Sequence, residues 1–195
     1  MKYIFTLTFL TLVSIGQAQN IVDWDGKYLL QLSDFQSPNS KIGEGNFYSL
    51  NAASTIDFSF YMSNAEFILS KNFNDKVSNS FNRDGAYIIA PDSATAMQLL
   101  AFAQYDFDLK ELYARKFRKR MFDEKKAFSD INYSRPIYES VQKEYASRHA
   151  LAGSQTDIGI QEDKLKILHR DVLEEIKELY DFCKTCKPAK KTKKK

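Results

Sequence analysis

Residues 99–120 read LLAFAQYDFDLKELYARKFRKR, an unbroken run without glycine or proline. Met97, Leu100, Leu109, Leu112, Phe117 and Met121 recur in and around it at roughly helical spacing, while Lys110, Arg115, Lys116 and Arg118 to Arg120 decorate other faces. Glu111 precedes Arg115 by four residues, the order that favours an ion pair along a helix. Pro91-Asp92-Ser93 supplies a start signal, with Asp92 or Ser93 able to cap the first free amides. The pattern predicts one long helix ending near Lys126.

Sequence on either side shows what this helix lies against. Residues 53–62 alternate Ile56, Phe58, Phe60 and Met62 with Thr55, Asp57, Ser59 and Tyr61, the period-two signature of a strand with one buried face. In 66–73, Phe67, Leu69 and Phe73 face one way and Ser70 and Asn72 the other, which predicts an antiparallel hairpin partner across a Ser63-Asn64 turn. A first strand over 28–35, a loop over 37–45 and short strands over 77–83 and 86–89 complete the N-terminal half. Downstream, a second helix is expected from Pro136 to just before Gly153. A third begins near Gln161 and carries the stripe Leu165, Leu168, Val172, Ile176 and Leu179. The fold class is therefore α+β: an N-terminal antiparallel sheet packed against a long helix and two further helices.

The two ends read differently from the body. Lys2, an apolar stretch over 4–15 and the small residues Gly16 and Ala18 form a secretory signal peptide over 1–18, with cleavage expected after Ala18. That apolar stretch is too short, and too rich in threonine, for a bilayer-spanning helix. Residues 184–195 form a low-complexity lysine tail expected to be disordered. Setting aside Lys2 and the seven lysines from Lys184 to Lys195 leaves 20 of the 28 basic residues against 25 acidic ones, about −5 for the single domain over 19–183. A mildly acidic body with a basic tail argues against specific nucleic-acid binding. The signal peptide points to an exported protein, secreted or periplasmic, and the tail is expected to be drawn to anionic surfaces.

The stretch over 99–120 resembles the central helix of the DUF922 family, exported bacterial proteins often described as secreted zinc-dependent proteases. The family helix reads like LLxHEQxHFDIxELYARKLRK, and Gln104, Phe107-Asp108, residues 111–116 and Arg118-Lys119 keep that pattern here. Leu32-Ser33-Asp34-Phe35-Gln36 also looks like the family's opening W-x-DF-x-G segment. The resemblance implies a zincin-like fold and a zinc held by an HExxH motif, whose two His share one helix face while the Glu polarises a bound water. At the matching positions this chain has Phe102, Ala103 and Asp106, and Thr156-Asp157-Ile158-Gly159 looks like a T-x-H-G segment with Ile158 in place of its His. Phe102, Ala103, Asp106 and Ile158 are thus the positions of a vestigial site, with no catalytic residue, metal or cofactor expected.

The remaining candidates have plainer readings. Asp106 is expected to be a solvated carboxylate paired with Lys110 one turn on. Tyr105 and Asp108 are read as structural. His149 and His169 have no partner four residues away that would complete a zinc pair, and His169 is placed near the surface. Cys183 and Cys186 follow a helix instead of starting one, so they are read as a small terminal disulfide or two thiols without catalytic work, not a redox dithiol. The expected function is that of a non-catalytic metallopeptidase-like protein binding a peptide or a cell-envelope component. The alternative is a metal-dependent peptidase with a site rebuilt around Asp106 and a second carboxylate, Asp108 or Glu111.

Overall fold

The computed structural model describes residues 20–58, 63–126 and 129–188. The expected signal peptide, four residues of the expected strand over 53–62 and most of the lysine tail lie outside them. In chain order the elements are β1 (Ile21–Asp23), β2 (Lys41–Ile42), β3 (Ser49–Asn51), β4 (Ser54–Phe58), α1 (Asn64–Leu69), β5 (Val77–Asn82), β6 (Tyr87–Ala90), α2 (Ser93–Glu124), α3 (Ser134–Thr156) and α4 (Glu162–Glu178). The class is α+β, with two small sheets and three long helices. One sheet, β1-β5-β4, is antiparallel. The other, β2-β6-β3, is mixed, because β2 runs parallel to β6.

Helix α2 is the spine. Asp92 caps it, its carboxylate accepting from Thr95 N at 2.8 Å. Leu99, Ala103 and Phe107 pack with Phe81, Ile88 and Ala90 of the strands, while Phe102, Leu109, Leu112 and Phe117 pack with Val141, Leu165, Val172 and Ile176 of α3 and α4. Over residues 102–118 the helix is covered on every side and has no exposed face. Arg115 and Arg118, read from the sequence as surface decoration, are therefore buried, and both bind the Glu111 carboxylate at 2.9 Å. Buried charges persist only when paired and hydrogen-bonded. Arg115 Nη1 donates also to the carbonyl of Ile176, Arg118 Nη1 also to that of Phe182 and Arg118 Nη2 to that of Val77, which ties the end of α4 and strand β5 to the spine, while Arg118 Nε stays buried without a hydrogen-bond partner among the described residues.

Three sequence expectations give way. The partner of β4 is β5, not residues 66–73, and residues 64–69 form a helix. Ser63 accepts from Glu66 N, the S-x-x-E start signature. The turn buries Phe67 and leaves Leu69 86% exposed, so those apolar residues follow a helical period over too short a run to be distinguished from a strand. Residues 28–35 are not a strand either. Asp25 caps the amides of Lys27 and Tyr28, and buried Asp34 draws Gln31 N, Tyr28 Oη and Arg83 Nε onto its carboxylate, winding 32–34 into a 3-10 turn. The first strand is β1, further upstream. Finally, α3 starts two residues before Pro136, which sits in the first turn where its missing amide costs nothing, and runs past Gly153 to Thr156.

Candidate functional site

Four elements converge on one cavity of about 230 Å³. Helix α2 contributes Phe102, Asp106 and Lys110, spaced four apart on one face. Helix α3 contributes Tyr145 and His149 by the same spacing, the end of β3, its connection to β4 and the first residue of β4 contribute Leu50 to Ser54, and the α3–α4 turn contributes Ile158. Three of the positions singled out from the sequence, Phe102, Asp106 and Ile158, are thus brought together. Ala103 is not: it lies about 100° further round the helix, fully buried against the strands.

Asp106 is the centre of the cavity floor. It is 3% exposed, not solvated as the sequence reading had it, because the β3–β4 connection and α3 close over it. Its Oδ1 accepts from the Tyr145 hydroxyl at 2.5 Å and lies 3.4 Å from His149 Nε2. Its Oδ2 accepts from Ser54 Oγ at 2.8 Å and from Lys110 Nζ at 3.3 Å, so the expected Lys110 pair is present. Lys110 gives its other protons to Ser54 O and Ser54 Oγ, at 2.6 and 2.9 Å. A carboxylate offers about four lone-pair directions; here Tyr145, Ser54 and Lys110 donate to it, and the His149 ring stands alongside at 3.4 Å. Burial, reinforced by the Asp106 charge, pushes the Tyr145 phenol far above its ordinary value, so it remains a neutral donor.

The turn that delivers Ile158 is built from residues that leave it no freedom. Thr156, fully buried, donates from Oγ1 to Ala152 O and accepts from Gly159 N. Asp157, Ile158 and Gly159 all have positive φ, 50°, 44° and 109°. For a β-branched residue this is an uncommon, strained conformation. Gly159 is obligatory, since a Cβ there would stand 2.3 Å from Gln98 O on α2. Tyr48 Oη donates to the Asp157 carboxylate and pins the turn from the other side. Thr156 and Gly159 thus fix the backbone whatever side chain stands at 158.

The other candidates fall outside the cavity. Asp108 accepts from Trp24 Nε1 at 2.6 Å, Gln104 Nε2 at 3.0 Å and His169 Nε2 at 2.7 Å. His169 is thus a partly buried cross-link from α4 to α2, a correction to its surface placement, because Asp108 turns inward toward α4. Tyr105 is fully buried between the Phe102 and His169 rings, and burial raises its hydroxyl above the ordinary range. Cys183 and Cys186 form a disulfide. Among the described residues no group of three or more His, Cys, Asp and Glu is arranged to hold a metal ion, and no helix is long and apolar enough to cross a membrane. Sequence reading missed Tyr145, His149 and Ser54 as partners of Asp106. Only the Tyr145/His149 spacing of four hinted at a shared face. Compared with models of known protein families, with curated proteins and with solved structures, the chain matches none.

Proposed function

We propose that the protein is an exported, non-catalytic binding protein on a zincin-like, zinc-peptidase-related scaffold. Its ligand cleft is the cavity above Asp106. One observation carries this reading: the three positions that the DUF922 resemblance assigns to metal ligands line a single cavity, two of them apolar and the third a carboxylate already held by three donors. Phe102 and Ile158 are apolar, and Asp106 is engaged by Tyr145, Ser54, Lys110 and His149. Lys110 supplies as a covalent ammonium the positive charge that a metal would bring to this carboxylate. The partly exposed His149 ring and the walls of Phe102, Ile158 and Leu50 leave an amphipathic recess suited to a side chain of a peptide or a group of a cell-envelope component. The lysine tail adds attraction to anionic surfaces.

A second reading rests on the 3.4 Å approach of His149 to Asp106, close enough for both to reach one ion in a rebuilt peptidase site. Lys110 opposes it, since its ammonium would have to be expelled. Metal analysis of the dialysed protein together with a peptide-library cleavage assay separates the two. Our reading expects neither metal nor cleavage, and binding of library peptides that is weakened by His149→Ala. Stoichiometric zinc with cleavage would overturn it.

A further inference from the structure

The described chain ends in a fastened strap. Beyond α4, residues 180–182 form a 3-10 turn, and the disulfide between Cys183 and Cys186 closes the loop that follows, with Cys186 N donating to Cys183 O at 3.0 Å. The Cys186 carbonyl is then gripped from the body. Asn72 and Asn74 both donate side-chain amide protons to it, at 3.1 and 3.0 Å. Asn74 is 1% exposed, and the same amide nitrogen also donates to Asp181 O at 3.0 Å. Arg118 donates to Phe182 O at 3.0 Å, the Phe182 ring meets Phe122 edge-on, and Lys184 pairs with Asp23 at 3.0 Å. A deeply buried asparagine and a buried arginine are thus committed to a surface segment whose shape a two-residue disulfide loop maintains.

We propose that the Cys183–Cys186 disulfide is a redox latch whose reduction by a dithiol unfastens the strap from Asn72, Asn74 and Arg118. A thiolate of the reductant attacks Cys186 Sγ, forming a mixed disulfide and releasing Cys183 as a thiolate. The Thr185 hydroxyl, 3.6 Å from Cys183 Sγ, is placed to donate to that thiolate. The second thiol of the reductant then displaces Cys186. Two electrons and two protons pass to the cysteine pair, and the reductant leaves as its own disulfide. Without covalent closure the turn at 183–186 keeps from within only the Cys186 N to Cys183 O backbone hydrogen bond, and from outside the Lys184–Asp23 ion pair and the two asparagine bonds. The Cys186 carbonyl then leaves the asparagines readily, and the strap's departure bares the Arg118 guanidinium and the Phe122 ring.

Hydrogen exchange read by mass spectrometry tests this on the mature chain, oxidised, treated with dithiothreitol without denaturant, and as Cys183→Ser/Cys186→Ser. The latch predicts that exchange over 72–76 and 179–186 accelerates at least tenfold in the reduced and Ser forms, while 99–120 is unchanged. Asn74→Ala with the disulfide intact should reproduce the pattern. Equal exchange in oxidised and reduced protein would overturn the proposal. So would faster exchange throughout the chain, which would make the disulfide a general staple, or a bond that dithiothreitol cannot reach in the folded state.

Discussion

Replacing Gly159 by Ala tests how the cavity is built. Two costs follow from the geometry. At φ 109° an L-residue occupies a sparsely populated region, which costs about 1–3 kcal/mol. The new Cβ would also stand 2.3 Å from Gln98 O and 3.2 Å from Phe102 Cβ. The nearest obstacle is backbone of the central helix, so the turn must lift away, at an overpacking cost of about 1–3 kcal/mol. The total is ~4 kcal/mol, a large part of the ~5–15 kcal/mol that holds a domain of this kind together. Gly153, six residues earlier, supplies the control. It lies inside α3 with ordinary 3.7 Å contacts to Ile158 and Phe102, so Gly153→Ala should stabilise by about 0.5–1 kcal/mol through the lower entropy of its unfolded chain. Urea unfolding of both variants gives the two free energies. A loss below ~1 kcal/mol for Gly159→Ala would mean that the turn does not lie against α2 and that Ile158 is not held over Phe102.

Other expectations bear on the charges. Lys110→Met leaves the buried Asp106 carboxylate without its cation and should cost ~3–5 kcal/mol, whereas Asp106→Asn in the same chain should recover part of that loss; a double-mutant cycle in urea measures the coupling. Glu175 is subject to burial, which raises its pKa, but Lys116 and Arg148 outweigh this and hold it below the usual 4.5. Its stabilising contribution is therefore full above about pH 4.5 and is lost as the pH falls through the lower folded value. The stability gap between wild type and Glu175→Gln should narrow from pH 7 to pH 3 in urea titrations. Phe102→His/Ile158→His, combined with Lys110→Met, should raise zinc affinity beside Asp106 above that of the wild type, read by calorimetry; no gain would count against the proposed zincin-like scaffold.

The residues themselves made much of this fold legible. The long helix and its Asp92 cap, the α4 stripe and the strands at 77–82 and 87–90 all follow from patterns that survive in any environment, because period and capping are local properties of the chain. The Asp106–Lys110 pair was readable for the same reason, lying one turn apart on one helix. Residues 64–69 were not, since six residues of mixed apolar character fit either period and only the Ser63 cap decides between them.

What lay beyond the sequence was whatever depends on long-range closure. Nothing local says that β4 reaches past the next segment to pair with β5, or that Arg115 and Arg118 point inward, because a helix shows its buried face only once its neighbours are placed. The same holds for the site. Sequence put Phe102, Asp106 and Ile158 in view through a motif, but Ser54, Tyr145 and His149 come from other elements, and only packing brings their donors onto one carboxylate. A pattern read along the chain gives which residues share a face; the satisfaction of a buried charge is a property of the faces that meet there.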